Sequence, residues 1–260
     1  MNTFTVLAKK EFIQMVREYK VIWLPLVFIF LGITQPVISY YLPAILKTLG
    51  NGKGIIIDPN MASQKGGEIL ASTLGSQFDQ LGIMIIVVSL MGIVQSDKAN
   101  GMLAFILTRP VKIMEYITGK IISNYLFVAC SIVLGYSVSY LYVQLLYTNV
   151  DFNDLVMALF FYLIWVLFMV SFTTMISTIF TSQGIIALIS IVFLLSCRIM
   201  VGLSPVLDYM NPASMSKYAM EVLNFGTIDT EVIGHIIMAF LWVALTIIIM
   251  NKWISKKRFN

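Results

Sequence analysis

Residues 156–204 read VMALFFYLIWVLFMVSFTTMISTIFTSQGIIALISIVFLLSCRIMVGLS, with Arg198 as the single charged residue in the stretch. A helix of about 20 apolar residues crosses the ~30 Å hydrocarbon core of a membrane. The stretch is long enough for two such helices, and Thr181-Ser182-Gln183 forms a short polar interruption between them. We therefore predict two membrane-spanning helices, at 156–180 and 184–204, joined by a tight reversal.

The composition of the whole chain agrees with this pattern. Hydrophobic residues make up 59% of the 260 residues and charged residues 12%, and the mean hydropathy is +0.89. Soluble domains carry about 25% charged residues, so lipid has to solvate the apolar surface of this chain. The complete set of predicted spans is 21–43, 79–96, 119–146, 156–180, 184–204 and 233–252. We predict an all-α polytopic membrane protein with about six transmembrane helices, forming a single transmembrane domain over residues 1–260.

The positions of lysine and arginine predict the orientation of the chain. With the N-terminus inside, 12 of the 17 Lys and Arg residues lie in the predicted inner segments and four in the outer segments. Inner loops carry an excess of Lys and Arg, so this bias favours cytoplasmic N- and C-termini. The basic run at 252–258 then anchors the last helix to anionic membrane lipids. We expect a multi-pass protein of a bacterial cell membrane, with its first span as an uncleaved anchor.

Four segments outside the predicted spans have sequence patterns of their own. Residues 1–20 place apolar side chains at three- and four-residue spacing, which predicts an amphipathic helix on the inner membrane surface. Residues 44–78 form a predicted outer loop with turn residues at its start and a helix around 67–77, and 205–232 form a second outer segment that contains two prolines. Residues 97–118 form the predicted cytoplasmic loop between the second and third spans.

This cytoplasmic loop carries the main functional signal. Residues 95–120 read QSDKANGMLAFILTRPVKIMEYITGK. The charged pair Asp97-Lys98 ends the second span, and Gly101 allows a sharp turn. Pro110 then ends a short helix, because its ring disfavours helical geometry at the preceding residue. Exposed apolar side chains on such a helix are costly in water, so the helix either packs on the protein's own inner face or enters a groove on a partner.

The residues of this loop resemble those of a known family. An acidic–basic pair, a glycine three residues on, a leucine-rich turn, Pro-Val-basic and a Gly-Lys opening the next helix are similar to type-2 ABC exporter permeases. The departures are Asp97 in place of the usual glutamate and Met102 in place of the usual threonine. The resemblance implies that the loop forms a coupling helix docked in a cleft of an ATP-binding subunit. By that resemblance the coupling residues are Asp97, Lys98, Gly101, Leu103, Phe105, Leu107, Arg109 and Pro110.

The resemblance also implies the architecture and partners of the working assembly. Two permeases, either two copies or a related pair, combine with two ATP-binding subunits, and the substrate passes between the permeases. The N-terminal helix becomes a connecting helix at the subunit interface, and 205–232 forms short helices that dip back into the outer leaflet. A largely apolar interior suits an amphipathic or hydrophobic substrate such as a peptide, lipid or drug.

The chain itself is expected to bind neither nucleotide nor metal. Its glycine-lysine stretch, 50–54, lacks the four-residue spacing and the following Ser or Thr of a phosphate loop. ATP and Mg²⁺ are therefore expected on a separate partner subunit, and no catalytic residue or cofactor is assigned to this chain. The 16 methionines are scattered rather than clustered at ligand spacing, so no metal site is predicted. No nucleic-acid partner is expected.

Arg198 has two interpretations. An arginine inside a membrane span costs about 2.5–3.5 kcal/mol on insertion scales, so its side chain tends to face protein or water. It either lines a translocation path or contacts anionic lipid, or it forms a structural pair with Asp208, Glu221 or an interhelical carbonyl, or it extends to the outer surface. The residues leave these alternatives open.

Three other function classes remain as alternatives. A membrane-embedded enzyme or an ion-coupled secondary transporter needs ionisable groups within the spans. The predicted spans contain only Arg198 and Asp79, and Asp79 is expected near the interface. A membrane sensor or regulatory subunit that binds an ATPase without moving a substrate is the third alternative.

Overall fold

The structure is a computed structural model, and the residues that it describes are 3–49, 65–103, 112–227 and 231–256. These residues contain six helices that are long and apolar enough to cross a membrane, which confirms the prediction of an all-α polytopic membrane protein. The elements in chain order are α1 (Thr3–Arg17), α2 (Lys20–Leu49), α3 (Gly66–Ser72), a π-helical segment (Thr73–Gly82), α4 (Ile83–Leu90), α5 (Gln95–Ala99), α6 (Ile113–Leu146), α7 (Phe152–Ile179), α8 (Gln183–Met200), α9 (Pro205–Met210), α10 (Ser214–Phe225) and α11 (Val232–Lys256).

The six spans form an up-and-down bundle. They are α2, the composite of α3 to α5, α6, α7, α8 and α11. An even number of crossings brings the start of α2 and the end of α11 to the same end of the bundle. We call this the α1 end, because α1 packs there against α2 and α6, and we call the opposite end the α10 end. The cytoplasmic orientation of the α1 end stays a prediction.

The second span begins much earlier than the sequence predicts. The helix predicted around 67–77 is continuous with the second span, which therefore starts at Gly66 rather than at 79. Helix α2 continues to Leu49, so most of the described part of the predicted outer loop 44–78 is helical. Residues 50–64 lie outside the described residues. The prediction failed because Thr73–Gly82 reads TLGSQFDQLG, which is too polar to register as a span. Other helices and not lipid surround much of this π-helical segment, since it packs against α2 and α10.

Helix α7 lies at the centre of the bundle and α8 at its edge. In the most apolar 18-residue window of α7, 67% of the residues are buried, against 17% in that of α8. Helix α7 contacts α4, α6, α8, α10 and α11. Its side chains supply several of the largest buried groups, including Trp165, Tyr162 and Phe168. The apolar residues left exposed on α8 therefore face lipid or another protein.

Helices α2 and α6 approach each other closely along their length. A Cβ atom on Gly32 would clash with the backbone carbonyl of Gly135, and a Cβ atom on Gly135 would clash with the backbone of Phe28. Small residues at a helix–helix interface let two backbones come into contact, which increases van der Waals packing in a membrane. The two glycines therefore fix the spacing of α2 and α6.

Two short helices follow α8 at the α10 end. Within the predicted segment 205–232 the structure places α9 and α10, and residues 228–230 lie outside the described residues. Helix α10 packs against α7, α3 and the π-helical segment, and it ends at Gly226, whose φ of 65° is the left-handed conformation typical of a helix C-cap. Whether α9 and α10 dip into a leaflet stays a prediction.

Helix α1 is amphipathic, but its buried face is partly charged. Glu11 and Met15 are buried against the bundle, whereas Phe12 and Val16 remain about half exposed. Some apolar residues of the predicted helix over 1–20 therefore pack against the bundle, and others remain exposed on its surface. Exposed apolar residues beside the start of a span support the predicted position on the membrane surface.

Candidate functional site

A buried cluster of charged side chains joins α1, α5 and α6 at the α1 end. Lys120 Nζ lies 2.9 Å from Glu11 Oε1 and 3.0 Å from Asp97 Oδ2, and it donates a hydrogen bond to Ile93 O at 2.6 Å. The Tyr116 hydroxyl donates to Asp97 Oδ2 at 2.7 Å. The Lys120 side chain is 2% exposed and that of Asp97 is 6% exposed. Buried charges persist only when they are paired and hydrogen-bonded, so this cluster holds the three helices in one relative position.

A serine on α7 forms hydrogen bonds to the backbone where the second span is interrupted. The helix is interrupted by a turn at 91–94. The Ser177 hydroxyl accepts hydrogen bonds from the backbone N–H of Val94 at 3.2 Å and of Gln95 at 3.1 Å, and it donates to Met91 O at 3.0 Å. One side chain thus satisfies the backbone groups that the turn frees from the helical ladder. The last turn of the second span is therefore tied to the end of α7.

Lys98 also binds the end of α7. Its Nζ donates to Thr178 O at 3.1 Å and to Phe180 O. A cation at the C-terminus of a helix satisfies free carbonyl groups and complements the helix dipole. Asp97 and Lys98 were predicted to take a direct part in coupling. The ion pairs and hydrogen bonds described above join both side chains to other parts of the same chain. Both side chains position the start of the loop, and their part in coupling stays a prediction.

The start of the loop turns sharply and returns one side chain to the core. Gly101 has a φ of 68°, in the left-handed region that glycine adopts easily, at the sharp turn predicted there. Leu103 is 0% exposed and belongs to the hydrophobic core, so its side chain packs within the chain, and its part in coupling stays a prediction. Met102, by contrast, is 40% exposed. Phe105, Leu107, Arg109 and Pro110 lie outside the described residues.

A cleft of about 510 Å³ opens between α1 and the start of this loop. Its walls combine basic side chains, among them Lys10 and Arg17, with the apolar side chains of Ile13 and Met102. Lys10 Nζ lies 3.3 Å from Asp97 Oδ1, so one wall is continuous with the buried charged cluster. This mixture of positive charge and exposed apolar surface can accept a partner that carries acidic and apolar residues.

The short link between α1 and α2 is held by local polar contacts. Glu18 accepts a hydrogen bond from Gln14 at 2.8 Å and pairs with Lys20 at 2.5 Å. Burial disfavours the carboxylate, but the hydrogen bonds from Lys20 and Gln14 outweigh it and hold the pKa of Glu18 below its ordinary value. Tyr19 has a φ of 55°, which lets the chain change direction between the two helices.

A second polar site lies toward the α10 end, where Arg198 pairs with Asp79. Arg198 Nε donates to Asp79 Oδ2 at 2.5 Å, and the Ser216 hydroxyl donates to the same oxygen. Arg198 Nη2 lies 3.7 Å from the sulfur of Met220. The Asp79 side chain is 0% exposed and that of Arg198 is 20% exposed. The site joins the π-helical segment, α8 and α10.

This pairing corrects two sequence interpretations. Asp79 was expected near the interface at the start of a span, but it lies inside the span Gly66–Ala99. Asp208, an expected partner of Arg198, pairs with Lys217 at 3.1 Å and accepts a hydrogen bond from Gly202 N at 2.7 Å. The earlier start of the second span is the reason that Asp79 lies deeper than expected, whereas Asp208 is held by its local partners Lys217 and Gly202. Arg198 thus forms an ion pair, but its partner is Asp79, which the hydropathy pattern placed near the membrane interface.

A cavity of about 410 Å³ adjoins this ion pair. Its lining combines Arg198 and Asp79 with Gly75, Gln80, Met84, Leu195 and Ile199. In the part of the chain that the structure describes, no group of three or more His, Cys, Asp or Glu side chains could hold a metal ion.

Sequence reasoning missed Glu11, Tyr116 and Ser177, and it used Lys120 only as part of a motif without predicting its buried ion pairs. A signal for two of them is present in the sequence. Glu11 lies between Leu7 and Met15 at four-residue spacing, so it interrupts an apolar stripe. Lys120 follows Tyr116 at the same spacing. A charge on an otherwise apolar helical face predicts a buried partner, but the sequence does not say which one.

Comparisons with known proteins agree with this architecture. A family model described as ABC-2 family transporter protein matches residues 5–251. The chain is also 34% identical over 227 residues to the uncharacterized transmembrane protein YxlG of Bacillus subtilis (strain 168), a match that covers 87% of each chain. Together with the six spans, these matches show that the chain belongs to the ABC-2 family of transporter proteins, the membrane permease components of ABC transporters.

Proposed function

We propose that this permease is the membrane subunit of an ATP-driven exporter and that a separate subunit binds and hydrolyses ATP with Mg²⁺. The observation that carries the proposal is the buried cluster of Glu11, Asp97 and Lys120. It joins α1, α5 and α6, so a force applied to the loop or to α1 reaches the bundle without being lost in a flexible joint. A rigid connection of this kind is what a subunit driven from outside the membrane requires.

The docking surface is formed by the cleft beside α1 and the apolar residues of the loop. Ile13 and Met102 are each about 40% exposed in the described part of this surface. Lys9, Lys10 and Arg17 add positive charge. Phe105 and Leu107, which are described by sequence alone, extend the apolar surface along the predicted coupling helix. An ATP-binding subunit with an acidic rim and an apolar groove is complementary to it.

The residues of the loop divide into anchors and contacts. Asp97, Lys98 and Leu103 hold the start of the loop against α6, α7 and the core. Met102 and the following apolar residues contact the ATP-binding subunit. When ATP closes a pair of these subunits, the loop is displaced, and the anchors transfer the displacement to the second span, α6 and α7.

Two permeases, either two copies or a related pair, enclose the pathway. The exposed apolar surface of α8 supports association within the membrane, and it suits an amphipathic or hydrophobic substrate such as a peptide, lipid or drug. The bias of Lys and Arg toward the α1 end supports cytoplasmic termini. Transport then runs from the α1 end toward the α10 end.

Pull-down of the detergent-solubilised, tagged permease from membranes of its native host, with mass spectrometry to detect a bound ATP-binding subunit, tests the proposal. Met102→Asp and Phe105→Asp bury a carboxylate in the apolar contact, so each should weaken the complex by about tenfold or more. Met210→Asp is the matched control, because Met210 is 52% exposed at the α10 end. Its complex and its ATPase rate in proteoliposomes should equal those of the unmutated protein. Full binding and full substrate-stimulated ATPase activity in both loop variants would refute the docking surface.

Ion-coupled transport is the second candidate, because Asp79 places a buried carboxylate inside a span. Its salt bridge to Arg198 opposes this role, since a coupling carboxylate must exchange its bound ion or proton. Substrate uptake by inverted vesicles separates the candidates. An exporter takes up substrate with ATP in the absence of an ion gradient, whereas a secondary transporter needs only the gradient.

A further inference from the structure

The Arg198–Asp79 pair is unusually incomplete for a buried ion pair. A guanidinium group has five N–H donors, and a structural Arg–carboxylate pair often uses two of them in parallel. Among the described residues, the N–O contact of the pair joins Arg198 Nε to Asp79 Oδ2, while Asp79 Oδ1 makes no well-aligned hydrogen bond and has only the Tyr162 hydroxyl close to the carboxylate. The remaining recorded contact of the guanidinium, in the part of the chain that is described, is the weak one to Met220. Stability alone does not explain a charge left so poorly satisfied.

The guanidinium is held in a fixed orientation beside a cavity. Asp79 is itself positioned by the Ser216 hydroxyl, and a Cβ atom on Gly75 would lie 3.6 Å from Arg198 Nη2, so the group rests against a residue without a side chain. Arg198 retains 20% exposure and lines the cavity of about 410 Å³. Its free N–H groups are therefore available to an acceptor that enters this cavity.

The rest of the cavity lining is suited to an amphipathic ligand, because it combines polar and apolar side chains. Gln80 adds an exposed amide beside Arg198, while Met84 and Ile199 are exposed apolar side chains. Arg198 lies two residues before the end of α8, an 18-residue helix about 27 Å long. An anionic head at this depth can place its tail along the apolar wall.

We propose that this cavity binds the phosphate or carboxylate head of an amphipathic molecule, with Arg198 as the anion-binding residue. Asp79 acts as a positioning residue, because it fixes one edge of the guanidinium and leaves the others for the ligand. Phosphate and carboxylate groups match a guanidinium fork, and the water-poor setting strengthens each charge-assisted hydrogen bond. The molecule is either a membrane lipid or the transported substrate. Binding at this site goes beyond the proposed function, because it does not require the ATP-binding subunit.

Lipid titration of the purified full-length chain tests the site. The chain is held in dodecyl maltoside and titrated with phosphatidylglycerol or with phosphatidylcholine of the same acyl chains, and native mass spectrometry gives the bound fraction. All variants carry glutamine in place of the basic residues of 252–258, because that run is itself expected to bind anionic lipid. In this background the chain should prefer phosphatidylglycerol, and Arg198→Gln should weaken that binding about 10- to 100-fold. Lys217→Gln removes another cation of the α10 end and should leave the preference intact. Equal binding of the two lipids, or an unchanged preference in Arg198→Gln, would overturn the proposal.

A second variant protects the test against misfolding. Arg198→Gln alone leaves Asp79 as a buried carboxylate without its cation, which destabilises the fold. The double variant with Asp79→Asn and Arg198→Gln replaces the ion pair by a neutral amide pair. It should remain folded by size exclusion and still lack the preference for phosphatidylglycerol. Retention of the preference in this folded variant excludes Arg198 as the anion-binding residue.

A further arm distinguishes the two sources of the anionic head. The permease is combined with its ATP-binding subunit in phosphatidylcholine liposomes, and dodecyl phosphate is added. A rise in ATPase rate that Arg198→Gln abolishes supports the site and assigns it to the substrate. Binding of phosphatidylglycerol without any effect of dodecyl phosphate supports the site and assigns it to a resident lipid. Because lipid binding is measured without the ATP-binding subunit, failure of export and failure of this site are separate results.

Discussion

Replacing Lys120 by methionine removes the cation that two buried carboxylates share. Lys120 Nζ lies 2.9 Å from Glu11 Oε1 and 3.0 Å from Asp97 Oδ2, and its side chain is 2% exposed. Methionine has nearly the same length and flexibility, so the variant loses charge and hydrogen bonds but little packing. The change therefore isolates the electrostatic contribution of the cluster.

The structure sets the size of the expected effect. Removing one partner of a buried ion pair costs about 3–5 kcal/mol, because the other charge stays buried without compensation. Lys10 is 32% exposed and pairs with Asp97 alone, and in the described residues no other cation pairs with Glu11. The upper part of that range is therefore expected. It corresponds to a change in the unfolding equilibrium constant of roughly three orders of magnitude.

Unfolding of the full chain in mixed micelles, followed by tryptophan fluorescence, measures this cost. Lys217→Met is the matched control, because Lys217 forms an ion pair but its side chain is 39% exposed, which predicts about 0–1 kcal/mol. Adding Glu11→Gln to Lys120→Met should recover part of the loss, since the unpaired carboxylate is removed. If Lys120→Met costs no more than Lys217→Met, the charged cluster does not hold α1 to the bundle.

Three further substitutions test the joints of the fold. Ser177→Ala should destabilise the chain by about 1–3 kcal/mol, because the backbone N–H groups of Val94 and Gln95 lose their acceptor. It should also weaken the coupling of ATPase activity to transport. Ser171→Ala is the control and should have neither effect, because the buried Ser171 hydroxyl has no partner among the described residues. Gly135→Ala should cost about 1–3 kcal/mol in the same unfolding assay by forcing α2 from α6, whereas Gly184→Ala, which meets open space, should be neutral or stabilising. Gly101→Ala should cost about 1–2 kcal/mol through its φ of 68°, and an unchanged unfolding midpoint would show that the turn relaxes.

Hydropathy predicted the spans that face lipid, because lipid selects for apolar composition along a whole helix. It failed at Thr73–Gly82, where the surroundings are other helices and polar residues find partners within the protein. The same failure hid the role of Asp79, which sequence reasoning assigned to an interface. A buried polar segment resembles a loop in composition, and only the packing of α10 and α2 against it makes it part of a span.

The candidate site was located by sequence but its internal geometry was not. The loop after the second span and the turn at Gly101 follow from local rules about charge, glycine and proline. The partners of its charges do not, because Glu11 and Lys120 are 109 residues apart and meet only when α1 packs on α6. Leu103 shows the same limit, since neither its apolar character nor its position in the loop distinguishes a core contact from a partner contact.

The two polar sites both include a residue of the second span, which constrains how they can act. Asp97 ends the second span and Asp79 lies in its π-helical segment, about 27 Å away along a helix. The turn at 91–94 is the weak point between them, and Ser177 ties it to α7. Under the proposed coupling, a displacement of the loop is expected to travel along α4 and to shift Asp79 relative to Arg198, which belongs to the edge helix α8. Since coupling free energies are reciprocal, dodecyl phosphate at Arg198 and the ATP-binding subunit at the α1 end must change each other's affinity by the same factor. A factor of one would mean that the second span bends at 91–94 and that the two sites act independently.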